Sequence, residues 1–148
     1  MKALAAAGYL AGAYLIGSIP FSYLIARWRS GTDLRRVGGG TVSGTAVHAA
    51  AGFWWMAAAG LLDIGKGVVA VLPVAGNHPL LAAFGAGAVA TGHNWSVFLR
   101  GAGGRAISVV AGAGIVAAWP APVVLGIGMG IGRLCRQTGL GSFVAQAA

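Results

Sequence analysis

The chain has 148 residues, of which 57% are hydrophobic and only 8% are charged. Because soluble domains carry about 25% charged residues, this composition excludes an ordinary soluble protein and indicates a helical integral membrane protein. The net charge of +8 does not indicate a nucleic-acid partner, since the basic residues stand between apolar segments and not on one soluble face. One cysteine and three scattered histidines exclude an internal disulfide and predict no metal site.

Five apolar segments are interpreted as membrane-spanning helices of a single transmembrane domain, residues 1–148. The first is not a cleaved signal, because its apolar run is longer than a signal core and is followed by Arg27 and Arg29, not by a small-residue cleavage site. The segments are rich in Ala and Gly, which let helices pack closely in lipid. The predicted spans are Leu4–Ala26, Phe53–Ala75, Pro79–Phe98, Ile107–Ala118 and Ala121–Arg133.

The distribution of Lys and Arg predicts the orientation of these helices. Alternating spans place eight arginines on one face of the membrane and only Lys2 on the other, and cytoplasmic loops are enriched in such cations. We therefore expect a multi-pass protein with its N-terminus outside and its basic loops in the cytoplasm. The eight residues are Arg27, Arg29, Arg35, Arg36, Arg100, Arg105, Arg133 and Arg136.

Two basic, glycine-rich loops follow the first and third predicted spans. Glycine backbone beside arginine suits an anion, because bare N–H groups can turn toward it and guanidinium groups bind phosphate. Two such loops on one side of a membrane predict a phosphorylated substrate handled at the lipid surface. The first loop contains Arg35, Arg36, Gly38, Gly39, Gly40 and Thr41, and the second contains His93, Asn94, Arg100, Gly103, Gly104 and Arg105.

Asp63 and Lys66 fall inside the second predicted span, three residues apart and so on one helical face. Charged groups at this depth are costly and are expected to point into the bundle, not at lipid. Two interpretations remain open: a purely structural ion pair, or a pair that orders a polar active site.

Four sequence elements in order carry a resemblance that spans nearly the whole chain. They are Tyr14–Ser22 (YLIGSIPFS), Asp33–Thr41 (DLRRVGGGT) with Gly44 and Thr45, Leu62–Gly67 (LDIGKG), and Gly92–Arg105. Leu140–Ser142 is weakly similar to a later segment of the same pattern. In these elements the chain resembles the bacterial membrane glycerol-3-phosphate acyltransferases that use acyl phosphate as donor.

The resemblance implies a fold and an activity. The family fold is a seven-helix bundle in the bacterial cell membrane, with the active site facing the cytoplasm. The family transfers an acyl group from acyl phosphate to the primary hydroxyl of glycerol 3-phosphate. The product is lysophosphatidic acid, an early precursor in phospholipid biosynthesis, and the reaction needs no metal and no cofactor. The expected partners are therefore glycerol 3-phosphate, acyl phosphate and membrane lipid.

The resemblance also implies roles for individual residues. Candidate catalytic residues are His93, Ser18 and Arg105, while Asp63, Lys66 and Asn94 would order the site. For Ser18 and His93, hydrogen bonding within the helices stays open as the alternative. The residues expected to bind substrate phosphate are Arg35, Arg36, Gly38, Gly39, Gly40, Thr41, Arg100, Gly103 and Gly104.

The chain departs from the family pattern at a few positions. Gly39, Thr41 and Ala46 stand where the family has Ser, Asn and Asn, and Arg105-Ala106 stands where it has Lys-Gly. The chain also ends before the last two helices of the family. These departures leave open a catalytically impaired relative that acts as a membrane interaction or lipid-phosphate-binding protein. A small transporter, the third possibility, has the glycines of broken helices but no repeat symmetry.

Overall fold

The structure, a computed structural model, describes residues 3–117 and Ile127. The elements that it assigns in this part of the chain are all helical, and no strand is among them. Two short 3₁₀ turns, Leu34–Arg36 and Val97–Leu99, lie in the loops before the third and sixth helices. The α-helices described are α1 (Ala3–Ser18), α2 (Phe21–Ser30), α3 (Gly44–Ala51), α4 (Phe53–Ala75), α5 (Pro79–Asn94) and α6 (Ile107–Ala117).

Among the residues that the structure describes, two stretches are long and apolar enough to cross a membrane. One is α4, with 23 residues, and the other is the 28-residue stretch Ala3–Ser30 that contains α1 and α2. The bounds of α4 agree with the predicted second span, and α5 begins at Pro79 as predicted. The all-helical class and the presence of membrane-spanning stretches are thus confirmed, while the predicted span Ala121–Arg133 lies outside the described residues apart from Ile127.

The predicted first span, Leu4–Ala26, lies within the stretch Ala3–Ser30, but the helix there is not continuous. The chain breaks at Ile19 and Pro20, between α1 and α2. The physical reason is Pro20, which lacks an N–H and disfavours helical geometry in the residue before it. Likewise α5 ends at Asn94 and not at Phe98, since the backbone of Trp95 leaves helical geometry (φ −129°, ψ 72°). The short helix α3 was not predicted.

Glycines bring the long helices into backbone contact. A Cβ added at Gly17 of α1 would clash with the backbone of Val89 in α5, and one added at Gly92 of α5 would clash with the backbone of Tyr14 in α1. The pair α4 and α6 repeats the arrangement: Gly67 abuts the backbone of Val109, and Gly112 abuts that of Ile64. Close approach through small residues is how helices gain packing energy in lipid.

We predict that Gly67→Ala destabilises the protein and that Gly65→Ala does not. The new methyl at position 67 must push α6 away from α4, which typically costs about 1–3 kcal/mol. Gly65 has nothing within 4 Å of an added Cβ. There, alanine contributes its better helix propensity, about 1 kcal/mol in favour of folding. Unfolding of both variants in mixed micelles measures the difference, and equal stabilities would show that the glycine contact does not hold α4 against α6.

Candidate functional site

The centre of the structure is a buried lysine at the break between α1 and α2. Lys66 is 4% exposed, and its Nζ donates to the backbone oxygens of Gly17 and Ile19, both at 2.9 Å. The same atom lies 3.0 Å from Asp63 Oδ1. The carbonyl between them, that of Ser18, accepts from the hydroxyl of Ser96. Side chains from α4 and from the loop after α5 therefore satisfy the carbonyls that the helix break leaves free.

His93, at the end of α5, joins this cluster. Its Nδ1 lies 3.7 Å from Asp63 Oδ1, an ion-pair distance and not a hydrogen bond. On the other side of the ring, Nε2 abuts Gly104, where an added Cβ would clash with it. The cluster thus links α4 and α5 to the second glycine-rich loop.

The two glycine-rich loops touch each other. Val42 N–H donates to the carbonyl of Gly103 at 2.9 Å, and Gly104 N–H donates to the carbonyl of His93 at 3.0 Å. An added Cβ at Gly103 would clash with the carbonyls of His93 and Asn94, so this turn fits only without side chains. The loops that the sequence placed on one side of the membrane are therefore packed against one another. The N–H of Gly104 is already used in this packing.

The first loop is fixed by its own ion pair. Arg35 donates to the Asp33 carboxylate through Nε (3.0 Å) and Nη2 (2.7 Å), and its guanidinium lies over the ring of Tyr23. The side-chain hydrogen bond from Arg35 lowers the pKa of Asp33 to about 2, so the carboxylate stays ionised at neutral pH. Asp33 raises the pKa of Arg35 in turn. Between them Leu34, fully buried, anchors the loop to the protein.

Beyond this anchor the loop bounds a cavity of about 510 Å³, which we name the loop cavity. Gly38 and Gly40 have positive φ, at 55° and 69°, and produce the turn. Hydroxyl groups line one part of the cavity, alanines of α3 line another, and Arg105 is the charged residue on its wall. The lining residues used below are Gly38, Gly39, Thr41, Ser43, Thr45, Ala46 and Arg105.

A second cavity of about 440 Å³, the helix cavity, lies beside α4 and the start of α6. Its wall includes apolar positions of α4 and α6, among them Met56, Ala57 and Ile107, together with Asp63 and His93. Three residues, Ser43, Thr45 and Arg105, line both cavities. Two spaces that share one arginine can hold two anionic molecules side by side.

Comparison with known proteins identifies the family and the fold. A sequence model of the family described as glycerol-3-phosphate acyltransferase matches residues 7–148. The chain belongs to this family. It is 39% identical over 140 residues to glycerol-3-phosphate acyltransferase 5 of Dehalococcoides mccartyi, and the match covers 91% of this chain. The chain spans only 59% of the length of that relative. A relative from Desulforudis audaxviator is 37% identical over 153 residues, covering all of this chain and 76% of that protein.

Solved structures show the same fold. The crystal structure of PlsY (YgiH), an integral membrane glycerol 3-phosphate acyltransferase, in its glycerol 3-phosphate form has a TM-score of 0.81 and 29% identity. The match covers 95% of this chain and 72% of that one. The lysphosphatidic acid form gives a TM-score of 0.76 at 27% identity. These matches agree with the membrane location indicated by the composition and by the two membrane-spanning stretches.

The sequence-predicted site residues fall into three groups. Gly38, Gly39, Thr41 and Arg105 line the loop cavity, while Asp63, His93 and again Arg105 line the helix cavity. A third, very small cavity of about 10 Å³ is bordered by Ser18, His93, Gly103 and Gly104. Arg35, Arg36, Gly40 and Arg100 line none of these three cavities, and neither do Lys66 and Asn94.

Within the described part of the chain, two of these residues, Ser18 and Asn94, have a buried polar atom without a hydrogen-bond partner. Ser18 is fully buried, and its hydroxyl has no hydrogen-bond partner, so it does not bond back to a helix carbonyl. It borders only the smallest of the three cavities. Asn94 Oδ1 is likewise buried without a partner. Neither side chain lines the loop cavity or the helix cavity.

The predicted set of site residues did not include three positions that line the cavities or support the site. Ser43 and Thr45 line both large cavities, and Ser96 caps the end of α1. The signal for Ser43 and Thr45 was their position directly after the glycine loop. Ser96 gave no signal, because its partner is a backbone carbonyl 78 residues away.

Ala106 marks a strained point in the second loop. Its φ is 54°, in the left-handed region that disfavours residues with a Cβ, and it is buried. The corresponding family residue is the glycine of the Gly-Gly-Lys-Gly pattern. This chain therefore has a side chain at a position whose backbone conformation favours glycine.

Proposed function

We propose that this chain is a glycerol-3-phosphate acyltransferase that uses acyl phosphate as donor. The observation that carries the proposal is the pair of adjoining cavities with Arg105, Ser43 and Thr45 common to both. A transfer between two phosphorylated molecules requires such an arrangement, since both phosphates must be held while the reacting atoms meet. The family membership supports it, as does the likeness to PlsY, whose structures are of a glycerol 3-phosphate form and a lysphosphatidic acid form.

Glycerol 3-phosphate fits the loop cavity. It is a small dianion with two hydroxyls, and the cavity offers one guanidinium, several hydroxyls and glycine backbone. A guanidinium matches the geometry of phosphate with two parallel hydrogen bonds. We therefore assign the phosphate to Arg105. Arg35, predicted from sequence for this role, uses Nε and Nη2 on Asp33 and instead holds the loop in place.

Acyl phosphate fits the helix cavity. Its phosphate would share Arg105, and its chain would lie along the apolar wall that Met56, Ala57 and Ile107 provide. In the reaction the primary hydroxyl oxygen bonds to the acyl carbon, the bond from that carbon to the phosphate oxygen breaks, and inorganic phosphate leaves. Because the donor has a good leaving group, positioning and charge neutralisation supply most of the catalysis.

His93 is the base that the geometry offers for the hydroxyl proton. It lines the helix cavity, and Asp63 lies on its Nδ1 side at 3.7 Å. A carboxylate in that position favours the tautomer with the proton on Nδ1, so the acceptor would be Nε2, which the hydroxyl would reach at the edge of the ring that lies against Gly104. Asp63 and Lys66 would then act as positioning residues.

We further propose that the protein is a multi-pass protein of the bacterial cell membrane with both cavities facing the cytoplasm. The support is the bias of eight arginines against one lysine between the two faces. Glycerol 3-phosphate is a water-soluble anion, so a site that opens to the cytoplasm meets it without a transport step.

We predict low but measurable acyl transfer from acyl phosphate, and little from acyl-CoA, in sealed vesicles. Radiolabelled glycerol 3-phosphate added outside should be converted to lysophosphatidic acid only in vesicles whose cytoplasmic face is outward. Arg105→Gln should raise the KM for glycerol 3-phosphate about tenfold or more, because a charged partner of the phosphate is lost. Arg105→Lys should lie between it and the unchanged protein.

The matched control is Arg36→Gln, which removes the same charge from a side chain that is 84% exposed and lines none of the three cavities. Its effect should be about threefold or less, as expected for an exposed charge. Equal effects of the two variants would contradict the assignment of the phosphate to Arg105. Conversion only in vesicles of the opposite orientation would contradict the cytoplasmic site.

The low rate that we predict follows from residues of the loop cavity. Restoring the family residues at these positions tests this explanation. Gly39, Thr41 and Ala46, three positions where the chain departs from the family pattern, all line the loop cavity. Gly39 has nothing within 4 Å of an added Cβ, so a serine fits there. We predict that the triple change Gly39→Ser, Thr41→Asn and Ala46→Asn raises kcat about tenfold or more, since one oxyanion donor is typically worth about 10²–10³ in rate.

The result that would contradict the acyltransferase is specific. If neither the unchanged protein nor the triple variant makes lysophosphatidic acid, while calorimetry shows that both bind glycerol 3-phosphate, the chain is a non-catalytic phosphate-binding relative. Loss of binding in the triple variant alone would show instead that the new side chains block the cavity, and the single change Gly39→Ser would then replace it.

A further inference from the structure

Arg29 lies beside two tryptophans at the place where α2 ends and α4 begins. The guanidinium carbon of Arg29 is 4.9 Å from the ring centroid of Trp55 and 5.6 Å from that of Trp28. The two indole rings meet edge to face, with centroids 5.3 Å apart. Attraction between the cation and both ring faces holds the guanidinium in a defined position. We name these three residues the Arg29 cluster.

No acidic side chain of the chain is available to pair with Arg29. It contains ten Lys and Arg but only two acidic residues. Asp33 is paired with Arg35 and Arg36, and Asp63 is buried against Lys66. The oriented guanidinium of Arg29 therefore remains available to an anion from outside the chain.

The surroundings of the cluster indicate where that anion lies. Trp28 is 71% exposed, and next to Trp55 stand Trp54, 80% exposed, and Phe53, 55% exposed. Exposed tryptophans in a membrane protein sit at the level of the lipid headgroups. At that level the abundant anions are lipid phosphates, which a guanidinium binds with two hydrogen bonds.

We propose that the Arg29 cluster binds the headgroup of an acidic phospholipid of the surrounding bilayer. The guanidinium would hold the phosphate, and the indole rings would lie against the upper part of the acyl chains. Arg27, two residues away, lies outside the cluster, and its Nη1 donates to the carbonyl of Gly31 at 2.6 Å. The cluster residues line neither the loop cavity nor the helix cavity, so the lipid site is separate from both proposed substrate sites.

Bound lipid would act on the first glycine-rich loop. That loop begins directly after α2, at Gly31, which has a positive φ of 68° and caps the helix. A lipid held two residues earlier fixes the end of α2 against α4. Arg29 would thus have a role beyond setting the orientation of the chain in the membrane.

Native mass spectrometry tests the proposal on the full chain. Delipidated protein in detergent is titrated with phosphatidylglycerol or with phosphatidylcholine. We expect phosphatidylglycerol to bind more tightly and Arg29→Gln to weaken its first binding event about fivefold, the share of one basic residue near a membrane surface. The control Arg27→Gln removes the same charge two residues away and should weaken it less than about twofold, as expected for an exposed charge outside the site. Millimolar inorganic phosphate should not displace the lipid.

Three results would overturn the proposal. Equal weakening by Arg29→Gln and Arg27→Gln would show only a diffuse positive surface. Equal affinity of the unchanged protein for both lipids would show no preference for acidic headgroups, and displacement by inorganic phosphate would show a simple anion site. If Arg29→Gln does not fold, Trp28→Leu removes one ring without changing charge, and an unchanged affinity for phosphatidylglycerol would then contradict the proposal.

Discussion

The buried ammonium of Lys66 is the interaction on which the rest of the structure depends. Pro20 breaks the first membrane-spanning stretch and leaves backbone carbonyls without helical partners. In a membrane interior no water satisfies such groups, and each unpaired one costs free energy. Lys66 bonds to two of them and to Asp63, so the cost of burying its charge is offset by three partners. The helix break, the pair of Lys66 and Asp63 and the candidate site therefore depend on the same set of contacts.

Consequences of this arrangement extend to both glycine-rich loops. Asp63 also lies near His93, and His93 packs against Gly104 of the second loop, whose neighbour Gly103 accepts a hydrogen bond from Val42 of the first. Contacts through Gly17 and Gly67 hold the long helices close enough for these short connections to form. Arg105 comes to lie between two cavities because both loops are fixed at the same end of the helices.

Much of the fold and part of the candidate site were predictable from the sequence, and the predictions that differ from the structure do so for physical reasons. The bounds of α4 follow from its apolar run, and the pairing of Asp63 with Lys66 follows from their spacing on one helix. The break at Pro20 was missed because the apolar run continues through it. Arg35 was expected to bind phosphate, but its carboxylate partner Asp33 stands only two residues away and holds its side chain. Ser43 and Thr45 line both cavities because loops and α-helices that are distant in sequence pack together. No local sequence pattern shows such packing.

The stability of a Lys66 variant tests the central role of this residue most directly. Unfolding of Lys66→Met in mixed micelles should show a loss of about 3–5 kcal/mol, because Asp63 is left as an unpaired buried charge. Adding Asp63→Asn should recover part of that loss and no more, since the carbonyl of Gly17 stays without its donor and that of Ile19 keeps only the 3.2 Å hydrogen bond from the Phe21 N–H. If the double variant is as stable as the unchanged protein, the helix break does not depend on Lys66, and the central role of its ammonium is refuted.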